Sequence, residues 1–307
     1  MYLFLACYTA LTQVCGSLAP WKHFHLNSLA MAAYAGSIGP ITEMAQFRSS
    51  IGHLTSTQQG VYVACILLSA AMSSLLSGHI ADAISRRYGI LTGGVICVVG
   101  TAMSATAPSF AVLIVARVIN GIGFGQGIAV TTVYLVELAP KEIRGVTVCL
   151  LQLYMVVGIT MGYFITLGTQ GIQSSFAWRV PFIVQACLAA VLTVGMAFMP
   201  FSPRWLMHKQ RPLEARAVLA QYREAGAVDA ELLEIKDSLE EHQGKEHVGF
   251  LEMFQKRYVG RTALGIFIMA FQQLTGVSPA AVRWYACAVR TASLITHCSG
   301  QNLMNTD

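Results

Sequence analysis

Long stretches of this 307-residue sequence contain no charged residue. Of the 35 charged side chains, 20 lie between Arg204 and Arg261, and the other 249 residues share only 15. Charged residues make up 11% of the chain, less than half of the roughly 25% that is usual in soluble domains. This segregation is typical of a polytopic membrane protein with one large soluble loop. It argues against a disordered chain, a nucleic-acid-binding protein and an ordinary soluble enzyme.

The charge-free runs are long enough to cross a bilayer as helices, which takes about 20 apolar residues. Seven runs qualify as spans: residues 1–19, 59–79, 89–107, 111–134, 146–168, 180–199 and 262–282. Residues 1–19 have neither a basic start nor a cleavage site of small residues, so we interpret them as an anchor and not as a signal peptide. The stretch 26–42 is interrupted by Gly36, Gly39 and Pro40, and we expect it to be irregular.

Basic residues in the loops predict how these spans are oriented. The loops after the second, fourth and sixth spans carry Lys and Arg, whereas the loops at 108–110 and 169–177 carry neither. We therefore expect the basic loops and the N-terminus to be cytoplasmic. Residues 204–261 balance ten basic against ten acidic side chains and repeat apolar residues at helical spacing. This pattern predicts short amphipathic helices that pack against protein, with a membrane-binding helix as the alternative. At the start of the sixth span, Trp178 and Arg179 are expected to anchor the chain at the membrane interface.

Motifs for soluble enzyme chemistry are absent from the sequence. It contains no P-loop, no H-E-x-x-H zinc motif and no G-x-S-x-G nucleophile motif. The eight cysteines are all more than four residues apart, so we expect no metal site and no cofactor. Gly121, Gly123, Gly125 and Gly127 do not have the spacing of a nucleotide-binding loop. Within a span, the pairs Gly121/Gly125 and Gly123/Gly127 are each four residues apart, which instead predicts close packing between membrane helices.

Five motifs lie in order along the chain, at residues 78–87, 117–125, 134–145, 200–206 and 272–276. Together they resemble those of the sugar porter family of the major facilitator superfamily, and the fungal members are the most similar. The family's G-x-x-x-D-R-x-G-R-R is matched at Gly78, Asp82, Arg86 and Arg87. R-x-x-x-G-x-G-x-G is matched at Arg117, Gly121, Gly123 and Gly125, and Y-x-x-E-x-x-P…R-G at Tyr134, Glu137, Pro140, Arg144 and Gly145. P-E-S-P-R-W-L is matched from Pro200 to Leu206 except at Phe201, where the family has Glu. Q-Q-x-x-G is matched at Gln272, Gln273 and Gly276. The resemblance runs from about Ser56 to Val277.

This resemblance implies an all-α fold in which two six-helix halves rock about a sugar site at the midplane. The chain would hold the first half, a cytoplasmic helical loop and a partial seventh span. Gln152, Gln272 and Gln273 would bind sugar hydroxyls, because an amide both donates and accepts hydrogen bonds. The alternative for these glutamines is hydrogen bonding between helices.

The resemblance also assigns roles to the charged residues. A gating network of the outward-open state would comprise Asp82, Arg86, Arg87, Glu137 and Arg144. Each of these loops taken singly fits plain anchoring by basic residues on the cytoplasmic side. Arg117 lies inside its span, where it either lines the translocation path or snorkels to the outer interface.

The predicted organisation has five parts: 1–58, the first span and an irregular, aberrant insert; 59–200, spans two to six; 201–260, the cytoplasmic helical loop; 261–282, the seventh span; and 283–307, an aberrant or disordered tail.

Residues 19–35 and 278–307 do not resemble the family. Our hypothesis is that both come from retained introns or a frameshift in a gene model. Continuous transcript reads that encode these residues as written would refute it. Removal of 19–35 would join Leu18 to Gly36 and give a more typical first span.

We expect a membrane transporter and not an enzyme. Its function would be transport of a hexose or related polyol by alternating access, facilitated or proton-coupled, in a truncated form that is inactive alone. The alternatives are a sugar sensor on the porter fold and an inert or dominant-negative fragment. Proton symporters of the family use an Asp in the first span, whereas no acidic residue precedes Glu43 here. The expected partners are a sugar, the lipid bilayer and, as a further candidate, protons, with no nucleic acid. The expected location is the plasma membrane, with the vacuolar membrane as the alternative.

Overall fold

A computed structural model describes residues 36–37, 39–140, 143–222, 225–243 and 259–274. Regular structure in these residues is helical, which confirms the all-α prediction. The helices are α1 (Ala45–Ile51), α2 (Ser56–Ile84), α3 (Arg86–Thr106), α4 (Phe110–Leu138), α5 (Arg144–Thr169), α6 (Phe176–Met196), α7 (Pro203–His208), α8 (Pro212–Ala220), α9 (Ala225–Gln243) and α10 (Val259–Leu274). The predicted first span, 1–19, and the tail, 283–307, lie outside the described residues. Of the predicted seventh span, 262–282, residues up to 274 are described, in α10.

Five helices, α2 to α6, are long and apolar enough to cross a membrane. They coincide with predicted spans two to six, but α2 and α4 are longer than the charge-free runs. Both contain 29 residues because Asp82 and Glu137 lie within their last turns. At its start, α2 is fixed by a capping box. The Gln58 N–H donates to the Thr55 hydroxyl at 3.3 Å, and the Thr55 N–H donates to the Gln58 side chain at 2.9 Å.

Contacts within the chain group its residues into two units, Met1–Leu232 and Leu233–Asp307. The first unit contains α1 to α8 and the start of α9. The second unit contains the rest of α9 and the apolar helix α10, in which the rings of Phe267 and Phe271 stack at 5.7 Å.

In the first unit, α4 packs closely against both α2 and α3. Glycines make this approach possible, as their spacing predicted. A Cβ atom at Gly121 or Gly125 would overlap atoms of α2, among them the Ser69 hydroxyl and the Ala70 carbonyl oxygen. A Cβ at Gly123 would lie 2.6 Å from the Gly93 carbonyl oxygen of α3. The prediction of close helix packing is therefore confirmed.

An aromatic cluster closes the end of the bundle where α2 and α4 begin. Trp178 is fully buried there, with its ring edge-on to Phe47 at 5.5 Å and to Phe182 at 6.3 Å. Its indole N–H donates to the Ser50 hydroxyl at 3.4 Å. Trp178 was predicted to anchor the chain at the membrane interface, and here its ring packs within the protein, because α1 lies over it and supplies Phe47 and Ser50.

The chain just before α1 differs from the irregular structure expected for 26–42. Residues 39–43 are helical, and Ser37 and Ile41 are fully buried. The Gln185 amide of α6 donates to the Ser37 hydroxyl at 2.9 Å, and a Cβ at Gly36 would overlap the Ile159 backbone of α5. Tertiary contacts that need small residues thus outweigh the low helix propensity of Gly and Pro here.

The predicted amphipathic helices after the sixth span are present as α7, α8 and α9. Trp205, Leu206 and Ala215 form a small buried core between α7 and α8, against which Leu232 of α9 packs. The apolar faces of α7 and α8 are therefore used for contact within the protein, as their mixed charge predicted.

Candidate functional site

An ionic cluster lies where α2 and α4 end and α3 and α5 begin, which we call the charged end of the bundle. Its centre is Arg86, the first residue of α3. One guanidinium nitrogen lies 2.7 Å from the Asp82 carboxylate, and another lies 3.2 Å from the Glu137 carboxylate. The side chains of Arg86 and Glu137 are only 15% and 7% exposed, whereas Asp82 is 69% exposed. The pair between Arg86 and Glu137 is thus largely withdrawn from solvent, which makes its partners interdependent.

Ser202 is a further partner of Glu137, and the motifs assigned no role to this serine. Its hydroxyl donates to the second carboxylate oxygen of Glu137 at 2.5 Å and accepts from the Trp205 N–H at 3.4 Å. The second bond caps α7, which begins with Pro203. A Ser-Pro pair before an apolar run is a start signal for a helix, but it does not reveal the carboxylate partner.

Further hydrogen bonds fix the turn between α6 and α7 to the charged end. The Tyr134 hydroxyl donates to the Pro200 carbonyl oxygen at 2.5 Å, and the Trp205 indole donates to the Asp82 carbonyl oxygen at 3.3 Å. The ends of α2 and α4 are therefore joined to α7 through uncharged as well as charged groups.

The structure brings together three of the five predicted gating residues. Asp82, Arg86 and Glu137 are in contact, but Arg87 and Arg144 contact no carboxylate in the described part of the chain. Arg87 donates to the Ala197 carbonyl oxygen and lies over an aromatic ring, and Arg144 donates to the Ala139 carbonyl oxygen at 3.2 Å. Both arginines thus donate to carbonyl groups at the ends of helices, Arg87 at the end of α6 and Arg144 at the end of α4.

Ser85, between α2 and α3, has a backbone conformation that suits glycine. Its φ of 138° and ψ of 152° lie in a region that is costly for a residue with a Cβ atom. Its side chain makes no capping bond, and its hydroxyl is buried without a hydrogen-bond partner among the described residues. In the motif that Gly78 begins, the family has Gly at this position. Serine here therefore carries both a backbone penalty and a desolvation penalty.

We expect Ser85→Gly to stabilise the chain by about 1–2 kcal/mol, because glycine removes both penalties. The melting temperature of the purified protein in detergent should rise by several degrees. Ser74→Gly is the matched control, since Ser74 is helical, exposed and bonded to the Ala71 carbonyl at 2.8 Å. That change should lower stability by about 0.5–1 kcal/mol. Equal effects at the two positions would contradict the assigned strain.

Among the predicted sugar-binding residues, Gln152 lies exposed on α5. The structure shows no hydrogen-bond partner for it within the described residues. Gln272 and Gln273 belong to α10, and their side chains lie outside what is described.

Two further glutamines, which the motifs did not single out, are buried. The Gln126 amide donates to the Gly89 carbonyl at 2.9 Å and to the Thr92 hydroxyl at 2.6 Å, and Gln185 bonds Ser37. These two residues connect helices.

Arg117 is completely buried in α4. Its guanidinium carbon lies 4.0 Å from the centre of the Tyr62 ring on α2, a cation–π contact. Full burial is incompatible with snorkelling to the interface, and its place on a translocation path stays a prediction.

Within the described ranges, no three His, Cys, Asp or Glu side chains are grouped as a metal site would require.

The apolar helical bundle, with an ionic cluster at one end followed by short amphipathic helices, is an architecture of the major facilitator superfamily. The family model "Sugar (and other) transporter" matches residues 12–290, and the chain belongs to this family. It is 32% identical over 225 residues to High-affinity glucose transporter 1 of Candida albicans. The aligned residues make up 72% of this chain and 41% of that transporter. It is 33% identical over 269 residues to the arabinose-proton symporter of Escherichia coli K12, with coverage of 85% and 56%. The chain thus spans about half the length of these curated relatives.

The fold is also that of a solved transporter. The partially occluded inward-open structure of the xylose transporter XylE from Escherichia coli matches 86% of this chain and 65% of its own length, with a TM-score of 0.73. At 21% sequence identity this likeness establishes the fold alone.

Proposed function

We propose that this chain supplies the first half of a transporter that moves a hexose or a related polyol across a membrane by alternating access. The observation that carries the proposal is the family match over residues 12–290, which includes all the described spans. Relatives named as glucose, arabinose-proton and galactose-proton transporters support a sugar as the substrate.

Gln152 is the described residue that best fits a role in sugar binding. An amide in a membrane helix is unfavourable unless it finds a partner, and Gln152 is exposed on α5 with no hydrogen-bond partner among the described residues. A sugar, or the second half, would supply the missing donors and acceptors. Gln126 and Gln185 are already used in contacts between helices, so we do not assign them to the sugar.

The charged end is placed in the cytoplasm in this proposal, because basic residues favour that side. The N-terminus is then cytoplasmic, and the plasma membrane is the proposed location. The cluster of Asp82, Arg86 and Glu137 would stabilise the arrangement of helix ends in one conformation and so bias the transport equilibrium. Arg117 would line the translocation path from its buried position in α4.

Facilitated transport and proton symport are both retained as modes of the proposed transport, because relatives named as proton symporters are among those that the chain matches. In the first 200 residues the acidic side chains are Glu43, Asp82, Glu137 and Glu142. Of these, Asp82 and Glu137 lie at the charged end, Glu43 just precedes α1, and no carboxylate lies within the middle of α2 to α6. A proton-coupled porter needs a titratable group on its path. When this chain is expressed with a second transporter half, uptake that is insensitive to a protonophore would indicate facilitated transport, and uptake abolished by one would indicate proton symport.

Two expression experiments test the proposal in yeast that lack hexose transport. We expect no uptake of labelled hexose by this chain alone, because alternating access needs two halves that move against each other. Co-expression with the carboxyl-terminal half of the Candida glucose transporter should give saturable uptake. Uptake by the chain alone would refute the requirement for a second half. Sugar binding without uptake in either experiment would favour the sensor, and neither binding nor uptake would favour an inert fragment.

In the co-expressed protein, Gln152→Ala should raise the half-saturating sugar concentration about three- to tenfold, as expected for the loss of about one hydrogen bond. Gln221→Ala, which changes an exposed glutamine after the sixth span, is the control and should have no effect. An unchanged half-saturation for Gln152→Ala would remove this residue from the proposed site.

A further inference from the structure

Phe201 stands where the family motif has a glutamate, in the turn between α6 and α7. A carboxylate at this position would be next to the arginines of α3 and would pair with one of them. Phenylalanine cannot form an ion pair, yet Arg87 is directed at it. The guanidinium carbon of Arg87 lies 4.9 Å from the centre of the Phe201 ring, within the range of about 6 Å for a cation–π contact.

Aromatic and basic side chains continue this contact on both sides. The Phe201 ring stacks on Trp205 at 5.5 Å with an angle of 20° between the planes, and Lys209 lies 5.8 Å from the Trp205 ring. Tyr88 packs against Phe201 from α3 at 5.8 Å. The order Arg87, Phe201, Trp205 and Lys209 defines a stack that leads from the start of α3 to the residue after α7.

We propose that Phe201 is a positioning residue, whose ring holds Arg87 by a cation–π contact where a glutamate would hold it by charge, and so joins α3 to α7 independently of ionic strength. Arg87 also donates a hydrogen bond to the Ala197 carbonyl oxygen, so the end of α6 is connected to α3 and α7 through the same arginine. This inference goes beyond the proposed transport and does not depend on it.

The cation–π contact of Arg87 and the neighbouring ion pairs of Arg86 should differ in how strongly salt weakens them. Salt screens charges that are partly exposed, with a Debye length of about 10 Å at 0.1 M salt. A ring quadrupole in direct contact with a cation acts at shorter range, and its strength depends on the electron density of the ring. Fluorination withdraws that density while it leaves the size of the ring nearly unchanged.

The test is a series of mono-, di- and trifluorinated phenylalanines incorporated at position 201 of the full chain, with melting temperature in detergent as the readout. We expect the melting temperature to fall with each fluorine, by about 2–6 °C over the series. Phe198, near the end of α6 and 83% exposed, is the matched control position, and the same series there should give no trend. No trend at 201, or equal trends at both positions, would overturn the proposal.

A second measurement separates the cation–π contact from ordinary packing. In Phe201→Glu, the loss of stability between 25 and 500 mM NaCl should exceed that of the unchanged chain, because an ion pair is screened. In Phe201→Tyr, which keeps a ring, the dependence on salt should be unchanged. Labelling of Arg87 by phenylglyoxal should be faster in Phe201→Leu and normal in Phe201→Tyr. Equal salt dependence of the glutamate variant and the unchanged chain would also count against the proposal.

Discussion

Glu137→Ala should destabilise the bundle by about 3 kcal/mol or more, the range for breaking a buried ion pair. The change leaves the Arg86 guanidinium largely buried and removes the acceptor of the Ser202 hydroxyl. Asp82 still faces Arg86 at 2.7 Å, but it is well exposed and compensates only in part. The loss should therefore lie near the lower end of the range of about 3–5 kcal/mol. In detergent, the melting temperature should fall by at least about 6 °C.

Two further variants divide this effect into its causes. Glu137→Gln keeps an acceptor for Ser202 and the shape of the side chain, and should lose less stability than alanine. Glu214→Ala breaks the pair of Glu214 with Arg211 at 2.5 Å, in which both side chains are about half exposed. That surface pair should be worth less than about 1 kcal/mol. If Glu137→Ala and Glu214→Ala shift the melting temperature equally, burial does not make the Arg86–Glu137 pair important.

The fold could largely be predicted from the sequence because lipid imposes simple rules. A span needs a run of apolar residues of nearly fixed length, and such runs identified α2 to α6. The ends were predicted less well, since Asp82 and Glu137 lie inside terminal turns where their carboxylates are paired and so tolerated. The helix at 39–43 was missed for a different reason. Its Gly and Pro predict irregular chain, and only the contact of Gly36 and Ser37 with α5 and α6 explains a helix there.

The sequence predicted which residues lie at the charged end, but not which of them form ion pairs. Motif order placed Asp82, Arg86 and Glu137 at one end of the bundle, where they do meet. Motif order could not distinguish Arg86, which pairs with two carboxylates, from Arg87, which contacts the Ala197 carbonyl group and the Phe201 ring. That choice depends on the backbone of the turn from Ala197 to Ser202, and a turn without regular periodicity leaves no pattern from which its geometry follows.

The glutamines show a second limit of sequence reasoning. Gln126, Gln152 and Gln185 are equally polar residues within apolar spans, and each is a reasonable candidate for a substrate ligand by type alone. The rotation of each helix about its axis decides between them. Gln126 and Gln185 point into neighbouring helices and Gln152 does not. Amphipathic periodicity is weak in spans that face lipid on one side and protein on the other, so this rotation could not be inferred beforehand.

Gly125→Val should be the most disruptive of the changes considered, because it acts on the backbone contact between α2 and α4. A Cβ atom at position 125 would overlap the carbonyl oxygen of Ala70, and a backbone group cannot move aside as a flexible side chain can. Valine adds two methyl groups to that overlap and is stiff about χ1 in a helix. Since overpacking a core costs about 1–3 kcal/mol even where side chains can adjust, we expect a loss above this range. The measurement is the yield of monodisperse protein in detergent, which should fall severely.

Gly60→Ala is the control that separates this contact from helix propensity. Gly60 lies near the start of α2, and a Cβ atom there meets nothing within 4 Å. Alanine at an open helical position should stabilise the chain by about 0.5–1 kcal/mol, because it restricts the unfolded state and favours the helix. Opposite signs for the two variants would show that contact with α2, and not any general need for flexibility, selects glycine at 125. A tolerated valine at 125 would mean that α2 and α4 separate without loss, and the close packing on which the charged end depends would then not be a requirement of this fold.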